Sequence, residues 1–154
     1  MKNTSLCYLK QDGKLLMLYR NKKKNDPNAG KWIGVGGKLE EKESPPDCAK
    51  REVLEETGLT MNRFDYRGLV TFVSDEYETE QMHLFTCEDF SGALQECDEG
   101  TLRWISENEI EDLPLWEGDR IFLRLIRTPR PFFSLKLVYE GDHPVRAVLD
   151  GVEL

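Results

Sequence analysis

Between residues 36 and 59 a glycine pair, a capped helix and a glycine stop follow one another, and this stretch constrains the chain more than any other. Gly36-Gly37 reads as a glycine loop, where backbone can approach a ligand closely. Ser44-Pro45-Pro46-Asp47 is a strong helix start. Ser44 can cap, Pro45 fits the first helical position, and Asp47 complements the positive end of the helix dipole. Gly58 suits the position just past a helix C-terminus. These signals predict a helix over Pro45 to Thr57. Successive helical residues advance by about 100°. Glu52, Glu55 and Glu56 therefore share one face.

Like charges at these spacings repel by roughly 0.2–0.5 kcal/mol per pair, a cost that a solvated surface tolerates. Taken alone, the acidic face also reads as ordinary surface. Two features point elsewhere. The glutamates stand toward the C-terminal half of the helix, where the dipole disfavours negative charge. The glycines just upstream could present a carbonyl beside them. Carboxylates with a carbonyl are hard oxygen ligands suited to Mg²⁺ or Mn²⁺.

The remainder of the chain sets bounds on this reading. Its 154 residues suggest one domain, residues 1–154. With 39% hydrophobic and 32% charged residues it is expected to be globular rather than disordered. No apolar run approaches the ~20 residues that a membrane-spanning helix needs. The first residues lack a signal peptide's apolar core, so a cytoplasmic location is expected. A net charge of −8 argues against stable nucleic-acid binding, which depends on Lys and Arg at phosphates. Cys7, Cys48, Cys87 and Cys97 form no C-x-x-C pair and read as reduced, buried thiols. His83 and His143 stand alone, so a zinc site is not expected.

Taken in order, Thr4 to Leu9 and Leu15 to Tyr19 read as a hairpin around Gln11-Asp12-Gly13-Lys14. A polar loop, Arg20 to Lys31, carries Lys22-Lys23-Lys24. These lysines read either as a solvated loop or as an electrostatic guide for a polyphosphate. Trp32 to Val35 is a short strand ending at the glycines. After the helix, Tyr66 to Val73 and Gln81 to Cys87 read as strands separated by an acidic loop. Glu88 to Gly100 is an acidic connection, and Thr101 to Ile105 is another strand. Ser106 and Glu109 have capping-box spacing, predicting a short helix that Pro114 breaks. Glu117 to Ile126 is predicted as a helix with Ile121, Phe122, Leu125 and Ile126 as its apolar stripe. Phe132 to Tyr139 and Val145 to Leu149 form a last hairpin around Gly141-Asp142. Strands interleaved with three helices indicate an α/β layered domain with a mixed sheet.

The full spacing of the central stretch is more specific. Gly37, five residues, Glu43, seven residues, then Arg51-Glu52-Val53-x-Glu55-Glu56-x-Gly58-Leu59 matches every fixed position of the Nudix box. The chain thus resembles Nudix hydrolases. The resemblance implies an α/β/α sandwich around a central mixed sheet, and Mg²⁺-dependent hydrolysis of a nucleoside diphosphate linked to another group. It implies metal binding by Glu52, Glu55 and Glu56, with the Gly36 carbonyl as a further ligand. Glu52 or Glu55 would also help activate water, and Arg51 would orient the glutamates by forked hydrogen bonds. Gly37, Glu43 and Gly58 would shape the loop–helix unit.

Outside the box, the chain is similar to the MutT-like branch, which includes 8-oxo-dGTP diphosphatases. Gly30-Lys31-Trp32, Glu96-Cys97-Asp98-Glu99 and Trp116-x-x-Asp119 carry this similarity. It implies one more acidic metal ligand, for which Glu96 is the best match and Asp98 and Glu99 are alternatives. It implies that Trp116 is an aromatic platform and Asp119 a carboxylate for purine edges. One of Lys22, Lys23 and Lys24, with Lys23 at their centre, would meet the terminal phosphates. One position departs. Some members carry an asparagine that contacts the oxidised base where this chain has Ile33, which can neither donate nor accept a hydrogen bond. Broader triphosphate hydrolysis is then expected beside 8-oxo-dGTP sanitation. RNA 5′ ends, nucleotide sugars and dinucleotides are rival substrates, and a non-catalytic nucleotide sensor is the rival from another class. A nucleotide substrate, no membrane contact and a monomer or small homo-oligomer complete the expectation.

Overall fold

The computed structural model of the protein describes residues 1–154. Its strands are β1 (Lys2–Gln11), β2 (Lys14–Tyr19), β3 (Trp32–Ile33), β4 (Val35–Lys38), β5 (Thr60–Ser74), β6 (Glu80–Ser91), β7 (Thr101–Ser106), β8 (Phe133–Glu140), β9 (His143–Leu149) and β10 (Val152–Glu153). Two α-helices, α1 (Pro45–Thr57) and α2 (Asp119–Ile126), and one 3-10 turn, Glu107–Asp112, complete the chain. The sheet order is β10-β9-β8-β5-β6-β1-β2-β3, with β4 also on β1 and β7 on β2. It is mixed: β1 runs parallel to β6 and β5 parallel to β8, while β1–β4 and β5–β6 are antiparallel.

Alternation along β1 divides the core in two. Leu6 and Tyr8 face one side and pack with Met17, Val70, Leu135 and the α2 residues Phe122, Leu123 and Ile126. Cys7 and Leu9 face the other and pack with Leu16, Phe85, and Ala49 and Val53 of α1. A helix thus covers each face of the strands around β1, giving the expected α/β/α sandwich. All four cysteines are buried and unbridged.

α1 occupies the predicted residues. Ser44 Oγ accepts from Asp47 N at 3.2 Å, and Asp47 Oδ2 accepts from Ser44 N at 3.0 Å, a reciprocal cap. Gly58 closes the helix at φ 80°, its N–H donating to Leu54 O.

The structure corrects four of the local expectations. Gly36 and Gly37 are not a loop but lie in β4, opposite Leu6 and Ser5 of β1. A Cβ on Gly36 would stand 1.9 Å from Ser5 O, so the two backbones approach as only glycine allows. Ser106 makes no capping bond. Ser106 stays in β7 opposite Lys14 of β2, Glu107 N donates to Gly13 O at 3.1 Å, and the turn that follows is 3-10 rather than α-helical. α2 begins at Asp119 rather than Glu117, because the chain before it is closed by turns, Asp119 N donating to Trp116 O at 3.0 Å and Arg120 N to Glu117 O at 3.3 Å, while Gly118 N donates to Tyr139 Oη at 2.6 Å. β5 starts at Thr60, six residues before the predicted Tyr66, because bulges let it follow β6.

Candidate functional site

Arg51 organises the acidic helix. Its Nε donates to Glu43 Oε2 at 2.7 Å and its Nη2 to Glu43 Oε1 at 3.0 Å. Its Nη1 donates to Glu52 Oε1 at 2.8 Å and to Glu55 Oε2 at 3.2 Å. Nη2 also reaches Lys38 O, tying α1 to the end of β4. One guanidinium therefore fixes three carboxylates, a task suited to its planar fork. The hydrogen bonds from Arg51 hold the Glu43 carboxyl below its ordinary range.

Glu56, on the same helix, receives no hydrogen bond from Arg51. Its Oε2 is buried without a hydrogen-bond partner. Burial, then the charge of Glu99, pushes its pKa up to about 9, with Glu52 adding to the rise and Arg20 opposing it. A buried carboxylate oxygen without a partner is costly. A hard divalent cation has the chemistry to meet it, and Glu52, Glu55 and Glu99 supply further oxygens of the same kind. The residues thus fit such an ion, although in this conformation no three acidic, histidine or cysteine side chains converge closely enough to hold one. Gly37 shapes the same place: a Cβ there would lie 2.6 Å from Glu52 Oε1.

From Gly36 and Gly37 a cleft of about 490 Å³ runs across the ends of β1, β5 and β6 to the start of α2. Glu99, Lys23 and Arg20 line the end beside Glu56, called the acidic end below. Trp116, Asp119, Ile33, Phe72 and Met82 line the other. Lys23 Nζ lies 3.8 Å and Arg20 Nη1 3.6 Å from Glu99. Trp116 packs edge-on to Tyr139, and Lys31 Nζ stands 4.9 Å from its ring centre. Asp119 is buried, and its pKa rises to about 8, first through burial and then through Glu80.

The three acidic candidates of the connection differ in where they lie. Glu96 is exposed and lies outside the cleft lining, whereas Glu99 reaches it. Packing sets this phase. Cys97 is buried, and a Cβ on Gly100 would stand 2.0 Å from Tyr19 O, so the segment docks on β2 with Glu99 turned inward. The other predicted site residues gather at the helix or the cleft: Arg51, Glu52, Glu55 and Glu56 on α1, and Gly36, Lys23, Ile33, Trp116 and Asp119 around the cleft.

Sequence reasoning missed a network in the Arg20–Lys31 loop. Arg20 Nε donates to Asp26 Oδ2 at 2.7 Å, and the two side chains are 9% and 2% exposed. Asp26 Oδ1 accepts from Asn28 N at 3.0 Å, and Asn28 Oδ1 accepts from Trp116 Nε1 at 2.8 Å. Asp26-Pro27-Asn28 reads locally as turn residues, and no local signal marks a buried ion pair among them.

The chain is similar to known proteins over most of its length. The NUDIX domain family matches residues 2–126. An oxidized purine nucleoside triphosphate hydrolase of Danio rerio is 31% identical over 150 residues, covering 97% of this chain and 94% of that protein. A CTP pyrophosphohydrolase of Escherichia coli is 30% identical over 130 residues, covering 80% and 91%. The crystal structure of a MutT protein from Bacillus halodurans superposes with a TM-score of 0.87 at 24% identity, covering 97% and 98%, a likeness of fold.

Proposed function

The chain belongs to the Nudix family, a hydrolase of phosphorus anhydrides in nucleotides, and from that premise we propose that it is a Mg²⁺-dependent nucleoside triphosphate pyrophosphohydrolase. Its substrates are purine triphosphates, oxidised ones such as 8-oxo-dGTP included, and its products are the monophosphate and pyrophosphate. The observation that carries the reading is one cleft lined by Gly36, Gly37 and Glu99, the last of these beside Glu56 of α1, and by Trp116 and Asp119. A triphosphate at one end and a base at the other match that layout.

Glu52, Glu55, Glu56 and Glu99, with the Gly36 carbonyl, would hold Mg²⁺ or Mn²⁺. When bound, such an ion supplies neutralisation of phosphate charge and activation of the attacking water. Arg51 keeps Glu52 and Glu55 oriented, which supports roles for both beside the reacting phosphorus. Lys23 is exposed at the acidic end and has only Glu99 as an ionic partner, so it can turn to the terminal phosphates. Trp116 offers a ring face to the base, and Asp119 offers a buried carboxyl to its edge. The whole chain, residues 1–154, would act as one such unit, since β8 extends the sheet beside β5 and Tyr139 fixes the start of α2.

Ile33 and the Escherichia coli relative named for CTP favour a second, broader reading, in which several nucleoside triphosphates are hydrolysed. Purified protein with Mg²⁺, offered 8-oxo-dGTP, dGTP, dATP, CTP, ADP-ribose and triphosphorylated RNA, decides between them. The primary reading expects the highest kcat/KM on a purine triphosphate and release of pyrophosphate. Equal rates on CTP support the broader one. Tight binding of one nucleotide without hydrolysis of any makes the protein a sensor and overturns both.

A further inference from the structure

We infer that Asn28 is a specificity-determining residue whose side-chain amide selects bases with a carbonyl at the purine 6-position over bases with an amino group there. This rests on the nucleotide-binding reading of the cleft. Ile33, Phe72 and Met82 contribute only apolar wall at the end of the cleft away from Glu99. Glu80, also at that end, has its oxygens engaged by Thr4 Oγ1 at 2.6 Å and Lys2 Nζ at 3.6 Å. The Trp116 N–H is spent on Asn28. Ser74, Tyr77 and Glu78 also line the cleft, with Tyr77 and Glu78 on its exposed rim. Asp119 and Asn28 are the polar groups held directly beside Trp116, by Asp119 N on Trp116 O and by Trp116 Nε1 on Asn28 Oδ1, and are placed to read the edge of a base lying on that ring.

The orientation of the Asn28 amide is fixed by chemistry. An indole N–H can only donate, so the atom it meets is the amide oxygen, and the amide nitrogen is the free end. That nitrogen has no partner in the protein, while the Asn28 oxygen, backbone N–H and backbone carbonyl are all used. It is also not closed off, since Asn28 is half-buried and lines the cleft. Its support is rigid. Asp26, held by buried Arg20, grips the Asn28 backbone, while Trp116 grips its side chain. A fixed N–H donor complements a carbonyl oxygen. Facing an amino group, it leaves two donors opposed and both unpaired, which is the strongest basis for discrimination by a polar site. Guanine and its oxidised forms present the carbonyl; adenine presents the amino group.

Asn28→Asp tests this without disturbing the frame, because the new side chain still accepts from Trp116 but offers an oxygen where the N–H₂ was. Calorimetric binding of dGMP and dAMP to the metal-free protein gives a ratio of affinities in which any general repulsion of nucleotide by the new charge cancels. The wild-type protein is expected to favour dGMP by about tenfold or more, and Asn28→Asp to lower that ratio at least tenfold. Asn28→Ala, which lacks both donor and acceptor, is expected to lower it by a smaller factor. The kcat/KM ratio for dGTP against dATP should move in parallel, through KM rather than kcat. A wild-type protein that binds dAMP as tightly as dGMP, or an unchanged ratio in both variants with melting curves like the wild type, overturns the inference. Should the wild type hydrolyse no triphosphate, the hydrolase reading fails, and the binding ratio still decides the role of Asn28.

Discussion

Arg51 meets Glu43 side-on, with Nε 2.7 Å from one carboxylate oxygen and Nη2 3.0 Å from the other, and the same guanidinium extends its remaining nitrogen to Glu52 and Glu55. Glu43 lies before the helix and Glu52 on it, so this pair sets how the helix glutamates face the end of β4. Lysine carries the charge but not the fork. Arg51→Lys is therefore expected to keep the fold and lower kcat/KM by about 10²-fold, on the scale of losing a positioned electrostatic group. Steady-state kinetics at saturating Mg²⁺ checks it, and wild-type kcat/KM in this variant would remove Arg51 from the mechanism.

Glu56 is placed where carboxylate is hard to keep. One oxygen is buried without a partner, and Glu99 lies beside it. Glu56→Gln keeps the shape and removes the ionisable carboxyl. Turnover is expected to fall by 10²-fold or more, while Tm in EDTA rises by several degrees, the usual exchange of stability against activity at a site. Mn²⁺ binding, followed by electron paramagnetic resonance, should weaken in parallel. A lower Tm together with retained turnover would contradict the assignment.

Neighbouring glycines should fail in different ways. An added methyl at Gly36 meets Ser5 O at 1.9 Å, a backbone atom of the adjoining strand that cannot step aside. Gly36→Ala is expected to lower Tm by about 10 °C or more, or to yield no soluble protein. At Gly37 the methyl meets Glu52 Oε1 at 2.6 Å, the end of a side chain that can rotate. Gly37→Ala is expected to melt within a few degrees of wild type and to lose at least tenfold in kcat. Equal thermal shifts in the two variants would show that β4 adapts more easily than the close approach implies.

α1 was legible to the residue because its signals are local: Ser44, Pro45, Asp47 and Gly58 act within one turn of the ends they define. The glutamates were legible for the same reason, since helix geometry places them once the helix is known. Gly36 and Gly37 were misread because what makes them a strand is Ser5, more than thirty residues away in sequence. Glu99 could not be separated from Glu96 because the phase of an acidic connection is set by what it docks on, here Tyr19 and the burial of Cys97. The Arg20–Asp26 pair was invisible, since charged residues in a polar loop read as solvated until packing buries them.

The Arg20–Asp26 pair also bears on stability. Asp26 and Arg20 are nearly removed from solvent, and Asp26 is the only hydrogen-bond acceptor for the Arg20 side chain. Removing Asp26 takes away that acceptor and leaves Glu99, 3.6 Å from Arg20 Nη1, as the remaining ionic partner, so the cost falls below the roughly 3–5 kcal/mol of a fully uncompensated buried charge. Asp26→Ala is expected to lower Tm by about 5 °C or more. Differential scanning calorimetry decides it, and a shift of only a degree or two would mean that water reaches Arg20 once Asp26 is gone.

Burial, with Glu80 second, raises the Asp119 carboxyl from its ordinary 3.8 to about 8, against the opposing pull of Lys31 and Arg120. Between those values the folded protein keeps a proton that the unfolded chain releases, so this group's contribution to stability is fully present below about 3.8 and is lost as pH rises toward 8. Asp119→Asn removes the titration and keeps the size. The difference between the variant's Tm and the wild type's should therefore grow in the variant's favour from pH 5 to pH 8.5, by several degrees, in buffers of matched ionic strength. Nucleotide binding should carry the same mark. A protonated Asp119 donates to a base acceptor and an ionised one cannot, so KM should climb through about pH 8 in the wild type and stay level in Asp119→Asn. Parallel Tm curves across that range, or a KM rise shared by both proteins, would place the titrating group elsewhere.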